Sequence, residues 1–352
     1  MSRFFTKRLE KLTPYTPGEQ PRDMQYIKLN TNESPFPPSP AVVEAAKAEA
    51  GRLQLYSDPT CRELTDKLAS LYGVTPEQVI LTNGSDEVLN FAFTAFSDES
   101  HPITFADITY GFYSVFAELN RVPYVIKPLK DDFTIDIDDY CGNCGTVFIA
   151  NPNAPTGILL SLDEIEKIVK SNPDNVVVID EAYIDFGGES AYPLTAKYDN
   201  LIVVRTFSKS RSMAGARLGY ALGPAALIAD LEKIKFSVNP YNVNRLTLRL
   251  GEATVDAESY YQEKCAAIIR TREETAEKLR NMGFEVLPSK TNFLFVKNDK
   301  IGGRELYEKL KDRGILVRHF SNRKIRQFNR ITVGTPEQMK ILIETLKEIL
   351  KS

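Results

Sequence analysis

The sequence of 352 residues contains no tryptophan, four cysteines and two histidines, and no long apolar run. No stretch approaches the roughly 20 apolar residues that a membrane-spanning helix requires. The net charge is −3, with 44 lysine and arginine residues against 47 acidic ones, so the basic excess of a nucleic-acid or anionic-membrane binder is also missing. The basic N-terminus has no apolar segment after it, which argues against a secretory signal. Together with the low cysteine content, this predicts a cytoplasmic protein.

The cysteines form one close pair, Cys141-Gly-Asn-Cys144. A structural zinc site needs four ligands, but the sequence has no second C-x-x-C motif, and His101 and His319 are isolated. A thioredoxin-like redox pair would open a helix after a strand, whereas this pair precedes a predicted strand at 146–150. We therefore interpret it as a turn with two free thiols and predict no metal site.

The chain does have the length and composition of a soluble protein of about two domains, with 43% hydrophobic and 26% charged residues. Residues 1–35 are polar and weakly periodic, which predicts an N-terminal arm. Over 36–245, strand and helix patterns alternate, as in a parallel sheet with helical crossovers. Over 246–352 the order changes, which predicts a smaller α+β domain. The predicted fold class is therefore α/β, with a large domain built on a mostly parallel sheet between helices and a smaller C-terminal domain.

The pattern predicts strands in the large domain at 79–81, 103–105, 124–126, 147–150, 176–180, 201–205 and 219–222. In the small domain it predicts strands at 284–287, 292–297, 315–318 and 330–333. Helices are predicted at 61–72, from the stretch 83–87 through residue 96, at 260–282, at 304–312, and after Thr335 as N-cap with Pro336 in the first turn.

Lys209 and Asp180 are the most informative pair of residues. Lys209 follows the apolar run Leu201-Ile-Val-Val204, and Asp180 ends the run Val176-Val-Val-Ile179. Open α/β sheets bind ligands at the carboxyl ends of such strands. A pyridoxal phosphate enzyme needs this pair, since the lysine forms an imine and the acid keeps the pyridine nitrogen protonated. Taken alone, Asp180 is equally consistent with a structural ion pair. The run also resembles the metal-binding strand of a P-loop ATPase, but the sequence has no G-x-x-x-x-G-K-[ST] motif.

Three further stretches fit the same site. The run Asn83-Gly-Ser-Asp-Glu87 places a glycine and free N–H groups at a helix start, which suits a cofactor phosphate. In the turn Asn151-Pro-Asn-Ala-Pro-Thr-Gly157, two prolines and a glycine fix the backbone, so that Asn153 can direct its amide at a ligand. Ser208 and Arg217 accompany Lys209 and together favour a phosphate cradle. The conjunction is far more specific than any single part.

The order of these motifs resembles the fold-type-I aminotransferases, and within them the histidinol-phosphate aminotransferases, from about residue 27 to the C-terminus. The resemblance implies pyridoxal 5'-phosphate as cofactor and interconversion of imidazole acetol phosphate plus glutamate with histidinol phosphate plus 2-oxoglutarate. It is carried by Leu29-Asn-Thr-Asn-Glu-Ser-Pro-Phe36, Tyr56-Ser-Asp-Pro59, Thr109-Tyr-Gly-Phe-Tyr113, Val178-Ile-Asp-Glu-Ala-Tyr183, Gly314-Ile-Leu-Val-Arg318 and Arg330-Ile-Thr-Val-Gly-Thr335.

The resemblance also implies the roles of the residues around the cofactor. Lys209 would form the imine and then move the proton as general acid and base. Asp180 would pair with the pyridine nitrogen, and Tyr110 would stack on the ring. Asn153 and Tyr183 would contact the phenolic oxygen of the cofactor. The implied phosphate end is lined by Gly84, Ser85, Asp86, Ser208 and Arg217.

For the substrate and the assembly, the resemblance implies four more residues. Arg330 would grip the substrate anion and Arg318 its phosphate, with Asn32 also on the substrate side. Both arginines lie on predicted strands of the small domain, so that closing this domain would bring them over the cofactor. Tyr56 would reach the phosphate bound to the partner subunit, which implies a homodimer.

The sequence departs from the family pattern after Lys209, where Ser210-Arg211 stand in place of alanine and an aromatic residue. Arg211 would either contact an anion or face solvent. Ala154 replaces a frequent second asparagine. Within the family, a threonine-phosphate decarboxylase and an aromatic amino-acid aminotransferase are the alternative activities. A non-catalytic effector-binding module is an alternative of another class, but the 35-residue arm is too short and not basic enough for a DNA-binding segment.

Overall fold

The computed structural model describes residues 2–10, 12–142 and 144–351. Its helices are α1 (Pro40–Ala50), α2 (Arg62–Tyr72), α3 (Ser85–Ala95), α4 (Phe112–Asn120), α5 (Leu162–Ser171), α6 (Ala225–Val238), α7 (Arg245–Asp256), α8 (Glu258–Asn281), α9 (Gly303–Asp312) and α10 (Pro336–Ile349). Its strands are β1 (Ile27–Lys28), β2 (Val79–Thr82), β3 (Ile103–Ala106), β4 (Tyr124–Lys127), β5 (Thr146–Ala150), β6 (Val177–Asp180), β7 (Leu201–Thr206), β8 (Gly219–Leu222), β9 (Phe284–Val286), β10 (Phe293–Asn298), β11 (Ile315–Leu316), β12 (Arg318–His319) and β13 (Asn329–Thr332).

A seven-stranded sheet in the order β2-β8-β7-β6-β5-β3-β4 forms the centre of the large domain. Strand β8 runs antiparallel to both neighbours, and the remaining pairs are parallel. Along β5, Phe148 packs with Phe93 on one face, while Val147 and Ile149 pack with Ile165 of α5 on the other. Because both faces are covered by helices, the central strands are apolar at successive positions. The predicted α/β fold with a mostly parallel sheet is confirmed.

The C-terminal part contains a four-stranded antiparallel sheet in the order β12-β13-β10-β9. Leu279 of α8, Leu306 of α9 and Leu342 of α10 pack together in its core. Leu248 of α7 packs instead with Leu64 of α2, although the predicted boundary assigns α7 to the small domain. The domain bounds 1–35, 36–245 and 246–352 stay a prediction.

The predicted single strand at 315–318 is wrong. Strand β11 pairs in parallel with β1, with Ile315 opposite Ile27, whereas β12 joins β13 in the four-stranded sheet. The buried Val317 separates the two strands. A chain segment from the predicted arm thus supplies the backbone partner of β11. The other predicted helices and strands are present within two residues at each end.

Cys141 and Cys144 are free thiols, and Cys144 Sγ donates to Asn172 Oδ1 at 3.7 Å. The two free thiols of the interpretation are confirmed, whereas the predicted turn includes residue 143, which lies outside the described residues. Over the described ranges, no three His, Cys, Asp or Glu side chains are grouped to hold a metal ion. Within the same ranges, no helix is both long enough and apolar enough to cross a bilayer.

Candidate active site

The predicted lysine and acid meet at the carboxyl edge of the large sheet. Asp180 is the last residue of β6, and Lys209 lies three positions beyond the end of the adjacent parallel strand β7. Both line a cavity of about 230 Å³. The other predicted site residues that line this cavity are Ser85, Asp86, Tyr110, Tyr183, Ser208 and Arg217.

Asp180 is a buried carboxylate with an exposed fraction of 6%. It accepts hydrogen bonds from the Ala182 N–H at 3.2 Å and from the Tyr113 hydroxyl at 3.3 Å. Burial raises its pKa to about 7, and the nearby Asp86 charge acts in the same direction. No ion pair found among the described residues includes Asp180, so the alternative of a structural ion pair is wrong. A ligand N–H cation would supply the missing partner.

Lys209 lies in an irregular loop and is partly buried. Its Nζ donates to the carbonyl oxygen of Thr31 at 3.3 Å and lies 5.6 Å from the centre of the Tyr183 ring. It takes part in none of the ion pairs found within the described ranges. An amine held by a neutral carbonyl, with no carboxylate partner, can be released to form an imine.

The start of α3 and the Arg217 side chain together form one part of the cavity wall. Gly84, the N-cap of α3, has a φ of +84°, and a Cβ at this position would lie 2.5 Å from Arg217 Nη2. Arg217 donates to Asp86 Oδ2 at 3.1 Å and to Ser208 Oγ at 3.5 Å. The Tyr110 hydroxyl donates to Asp86 Oδ1 at 2.6 Å. Free N–H groups of the first helical turn and a guanidinium converge here, as an anion requires.

Asn153 lies just outside this cavity, which its neighbours Pro152 and Ala154 line. Its amide donates to the Ile108 carbonyl at 2.9 Å and to Thr156 Oγ1 at 3.0 Å. Both amide protons therefore hold the turn together in this structure. A contact of Asn153 with the phenolic oxygen of the cofactor stays a prediction.

Asn32 connects the arm to the cavity wall. It is buried in the left-handed conformation, with a φ of +57°. Its Nδ2 donates to the Tyr183 hydroxyl at 2.9 Å, and its Oδ1 accepts from Thr332 Oγ1 at 3.0 Å. Asn32 thereby joins one cofactor-side residue to the small domain.

Arg318 and Arg330 lie directly opposite each other on β12 and β13. They line a second cavity of about 510 Å³, which shares Tyr110, Tyr183 and Lys209 with the first. Arg330 Nη2 donates to the Asn30 carbonyl at 3.0 Å. The two arginines therefore present their charges to the space in front of the lysine.

The two guanidinium groups differ in how fully they are satisfied. Arg318 donates to the carbonyl oxygens of Thr16 and Pro17, both at 3.2 Å. Arg330 Nε is buried and has no hydrogen-bond partner among the described residues. Burial lowers the pKa of Arg330, and the positive charge of Arg318 contributes. A buried cationic donor without a partner favours an anionic ligand.

Tyr56 lies apart from both cavities and is 79% exposed. Its ring stacks on Tyr241, with 4.6 Å between ring centres. This part of the chain does not complete its own site. The contact of Tyr56 with a partner subunit stays a prediction.

Arg211 takes neither of the positions expected from the sequence. Its side chain is 11% exposed and forms two hydrogen bonds with Glu258, one of them 3.1 Å long. The solvent-facing alternative is wrong, and the side chain pairs with a carboxylate of this chain and lines neither cavity. The reason is the acidic first residue of α8, whose position the sequence pattern did not reveal.

Three contributors to the site were missed. Tyr113 is fully buried and donates to Asp180. Tyr15 and Thr31 line the second cavity, which also contains Arg318 and Arg330. Tyr113 and Thr31 lie in stretches that carry the family resemblance, which was the available signal. Thr31 acts through its backbone carbonyl, for which no side-chain pattern exists.

The model of the family "Aminotransferase class I and II" matches residues 24–346. Together with the lysine and acid at the sheet edge, this identifies the chain as a member of the class I and II aminotransferases, whose cofactor is pyridoxal 5'-phosphate. A more specific group follows from a relative in Brachyspira hyodysenteriae, named histidinol-phosphate aminotransferase. This relative is 50% identical over 354 residues, which cover 100% of both chains.

Solved structures show the same fold. The histidinol-phosphate aminotransferase of Sinorhizobium meliloti, determined in complex with pyridoxal-5'-phosphate, has a TM-score of 0.90 at 24% identity and covers 100% of this chain and 98% of its own. The L-threonine-O-3-phosphate decarboxylase of Porphyromonas gingivalis has a TM-score of 0.81 at 22% identity and covers 93% and 100%. Because both enzymes share the fold, the fold alone does not select the substrate.

Proposed function

We propose that this aminotransferase interconverts imidazole acetol phosphate plus glutamate with histidinol phosphate plus 2-oxoglutarate, as a cytoplasmic homodimer. The observation that carries the substrate assignment is the Arg318–Arg330 pair, which faces the cavity of Lys209. Guanidinium groups bind phosphate and carboxylate alike, so one pair serves both substrates in turn. The name of the 50% identical relative supports the same assignment.

The cavity fits the cofactor of the family. Asp180 would accept the pyridinium N–H, because its buried carboxylate has no cationic partner. The first turn of α3, Ser208 and Arg217 would hold the phosphate, and Gly84 leaves room for the guanidinium that does so. When bound, the cofactor supplies the electron sink that makes the proton on the substrate carbon acidic.

Lys209 moves that proton in our proposal. Lys209 lines both cavities, and its Nζ forms a hydrogen bond with the Thr31 carbonyl but no ion pair with any described residue, so it can turn from Thr31 toward the substrate carbon. Arg330 would hold the substrate anion nearest the lysine, and Arg318 the phosphate. Fixing both ends of the substrate supplies the orientation that proton transfer requires.

The test is amino transfer by the purified protein supplied with pyridoxal phosphate. We expect transfer from histidinol phosphate to 2-oxoglutarate, and a loss of at least about 10²–10⁴-fold in kcat for K209A, the range that general acid–base catalysis provides. Unchanged transamination by K209A would remove the role given to this lysine. Release of carbon dioxide from phosphothreonine, or a preference for aromatic amino acids, would overturn the substrate assignment.

A further inference from the structure

The loop that carries Lys209 is attached to a buried network of charges. The loop connects β7 to a short 3-10 helix at Ala214–Ala216 and contains no regular structure of its own. Ser212 within it has a φ of +54°, a conformation that costs free energy for a residue with a side chain. The position of Lys209 therefore depends on what anchors its neighbours.

Both residues after Lys209 form side-chain contacts with acidic residues elsewhere in the chain. The Ser210 hydroxyl donates to Asp185 Oδ2 at 2.5 Å. Arg211 binds Glu258, the first residue of α8, through both terminal nitrogens, and its guanidinium carbon lies 5.7 Å from the centre of the Tyr261 ring. A guanidinium held at two points has a fixed orientation.

The same network reaches the residue beside Asp180. Arg205 of β7 bonds to Glu181 Oε2 at 3.2 Å and to Asp185. Glu181 follows Asp180 directly in the chain, and its other oxygen accepts from the Ala191 N–H at 2.6 Å. Asp185 thus connects the two sides, because it binds Ser210 beside the lysine and also Arg205, which binds Glu181 beside the acid.

The charge of Arg211 also acts on this network, although its own ion pair is with Glu258. Burial raises the pKa of Glu181, whereas that of Asp185 is lowered, with Arg205 and Arg211 as the cationic causes. Removing Arg211 leaves Glu258 without its bidentate partner and Asp185 with one cation fewer. Deleting one partner of such a pair is destabilising, here less than for a fully buried pair because the Glu258 side chain is 29% exposed. The loop can relieve this cost by moving, since its own backbone is strained.

We propose that Arg211, through Glu258, is a positioning residue that holds Lys209 in register with Asp180. The proposal rests on the role assigned to Lys209 under the proposed function. It accounts for Ser210-Arg211 at a place where the family commonly has alanine and an aromatic residue. Arg211 touches neither cavity, so it acts only through the loop.

The first measurement uses the cofactor-free enzyme without any substrate. Trinitrobenzenesulfonate modifies free amines, and mass spectrometry follows the peptide that contains Lys209 over a range of pH. We expect Lys209 to be modified faster in R211A and E258A than in the wild type, because the loop is no longer held. R211K keeps a cation near both Glu258 and Asp185, so its modification rate should lie closer to that of the wild type than the rate of R211A does.

The second measurement is steady-state kinetics of the same variants with pyridoxal phosphate bound. A displacement of about 1 Å costs about 10²-fold in rate, so kcat of R211A should fall by that order while KM for histidinol phosphate changes little. R211K keeps the positive charge but cannot bind Glu258 through two nitrogens. This variant replaces R211A in the measurement if R211A does not fold. The expected kcat of R211K lies between those of R211A and the wild type.

K235M is the matched control, because Lys235 is fully buried and paired with Glu232 at 3.0 Å on α6, away from the loop. K235M should leave the modification rate of Lys209 unchanged. The proposal is overturned if K235M accelerates the modification as much as R211A, or if R211A and R211K both match the wild type in modification and kcat. If the wild type fails to use histidinol phosphate while the modification rates change as expected, the proposed substrate is wrong and the positioning role stands.

Discussion

At the scale of single residues, the buried charge of Asp180 carries an electrostatic cost that a proton or a cationic ligand relieves. Its carboxylate is buried, accepts two hydrogen bonds from neutral donors and has a pKa of about 7. In an unfolded chain the same group would have a pKa near its ordinary value of 3.8. The folded, cofactor-free protein thus binds a proton on Asp180 more tightly than the unfolded chain does.

This difference predicts how the stability of the cofactor-free protein depends on pH. Between about pH 4 and pH 7 the folded state holds more protons, so the contribution of Asp180 to the free energy of unfolding falls as the pH rises. The variant D180N lacks this titration. Urea unfolding at pH 5 and pH 8 should show the wild type losing stability relative to D180N at the higher pH. An unchanged difference between the two proteins would contradict the shifted pKa.

At the scale of elements, the pair of strands β12 and β13 sets the spacing of the two arginines. Residues directly opposite in an antiparallel pair point to the same face of the sheet, and Arg318 and Arg330 are such a pair. The backbone carbonyls of Thr16, Pro17 and Asn30 orient the guanidinium groups from the arm side. The anion site is therefore built by two strands and one extended segment.

Substitution of the two arginines should separate the substrates. R318A should raise KM for histidinol phosphate by about 10- to 100-fold, since hydrogen bonds to charged groups contribute about 1.5–3 kcal/mol, and raise KM for glutamate less. R330A should raise both values. R323A, an exposed arginine between the same strands that lines neither cavity, is the control. Equal effects of R318A on both substrates would contradict the phosphate role of Arg318.

The sequence predicted elements best where one local signal decided them. The buried strands at 177–180 and 201–206 have continuous apolar runs, and Pro336 after Thr335 defines the start of α10, where Thr335 accepts from the Gln338 N–H. The split between β11 and β12 could not be predicted, because it depends on pairing with β1, almost 300 residues away in the chain. The long-range partner of a strand has no local pattern.

The same distinction applies to the site. Lys209, Asp180 and the α3 start were predicted because strand ends and helix starts have fixed places in an α/β sheet. The role of the Asp86 side chain and the pairing of Arg211 with Glu258 depend on tertiary contacts. The Asn153 amide, which the sequence predicts to contact a ligand, donates instead to the Ile108 carbonyl and to Thr156 Oγ1 in this structure.

At the scale of the whole molecule, the proposed sharing of the site between subunits depends on Tyr56. Its ring stacks on Tyr241 and lies outside both cavities. A tyrosine with a large exposed ring is typical of an interface. Light scattering should give twice the chain mass of 39.6 kDa.

Mixed dimers of Y56F and K209A test this sharing. Y56F should bind pyridoxal phosphate more weakly, and K209A should be inactive. Coexpression of the two variants should restore turnover, because one site of each mixed dimer combines an intact Lys209 with an intact Tyr56. Absence of restored turnover, with mixed dimers shown by mass, would place Tyr56 in the site of its own chain.

The segment Asn30–Thr31–Asn32 has a practical consequence for handling the protein. The carbonyls of Asn30 and Thr31 accept hydrogen bonds from Arg330 and Lys209, respectively. The Asn32 amide donates to the Tyr183 hydroxyl. Thirteen or more residues earlier, the carbonyls of Thr16 and Pro17 accept from Arg318. A chain that begins at residue 18 therefore lacks the carbonyls that accept from Arg318. A chain that begins at residue 36 also lacks those that accept from Arg330 and Lys209. An affinity tag or a fusion partner is accordingly better attached after α10 than through a trimmed N-terminus.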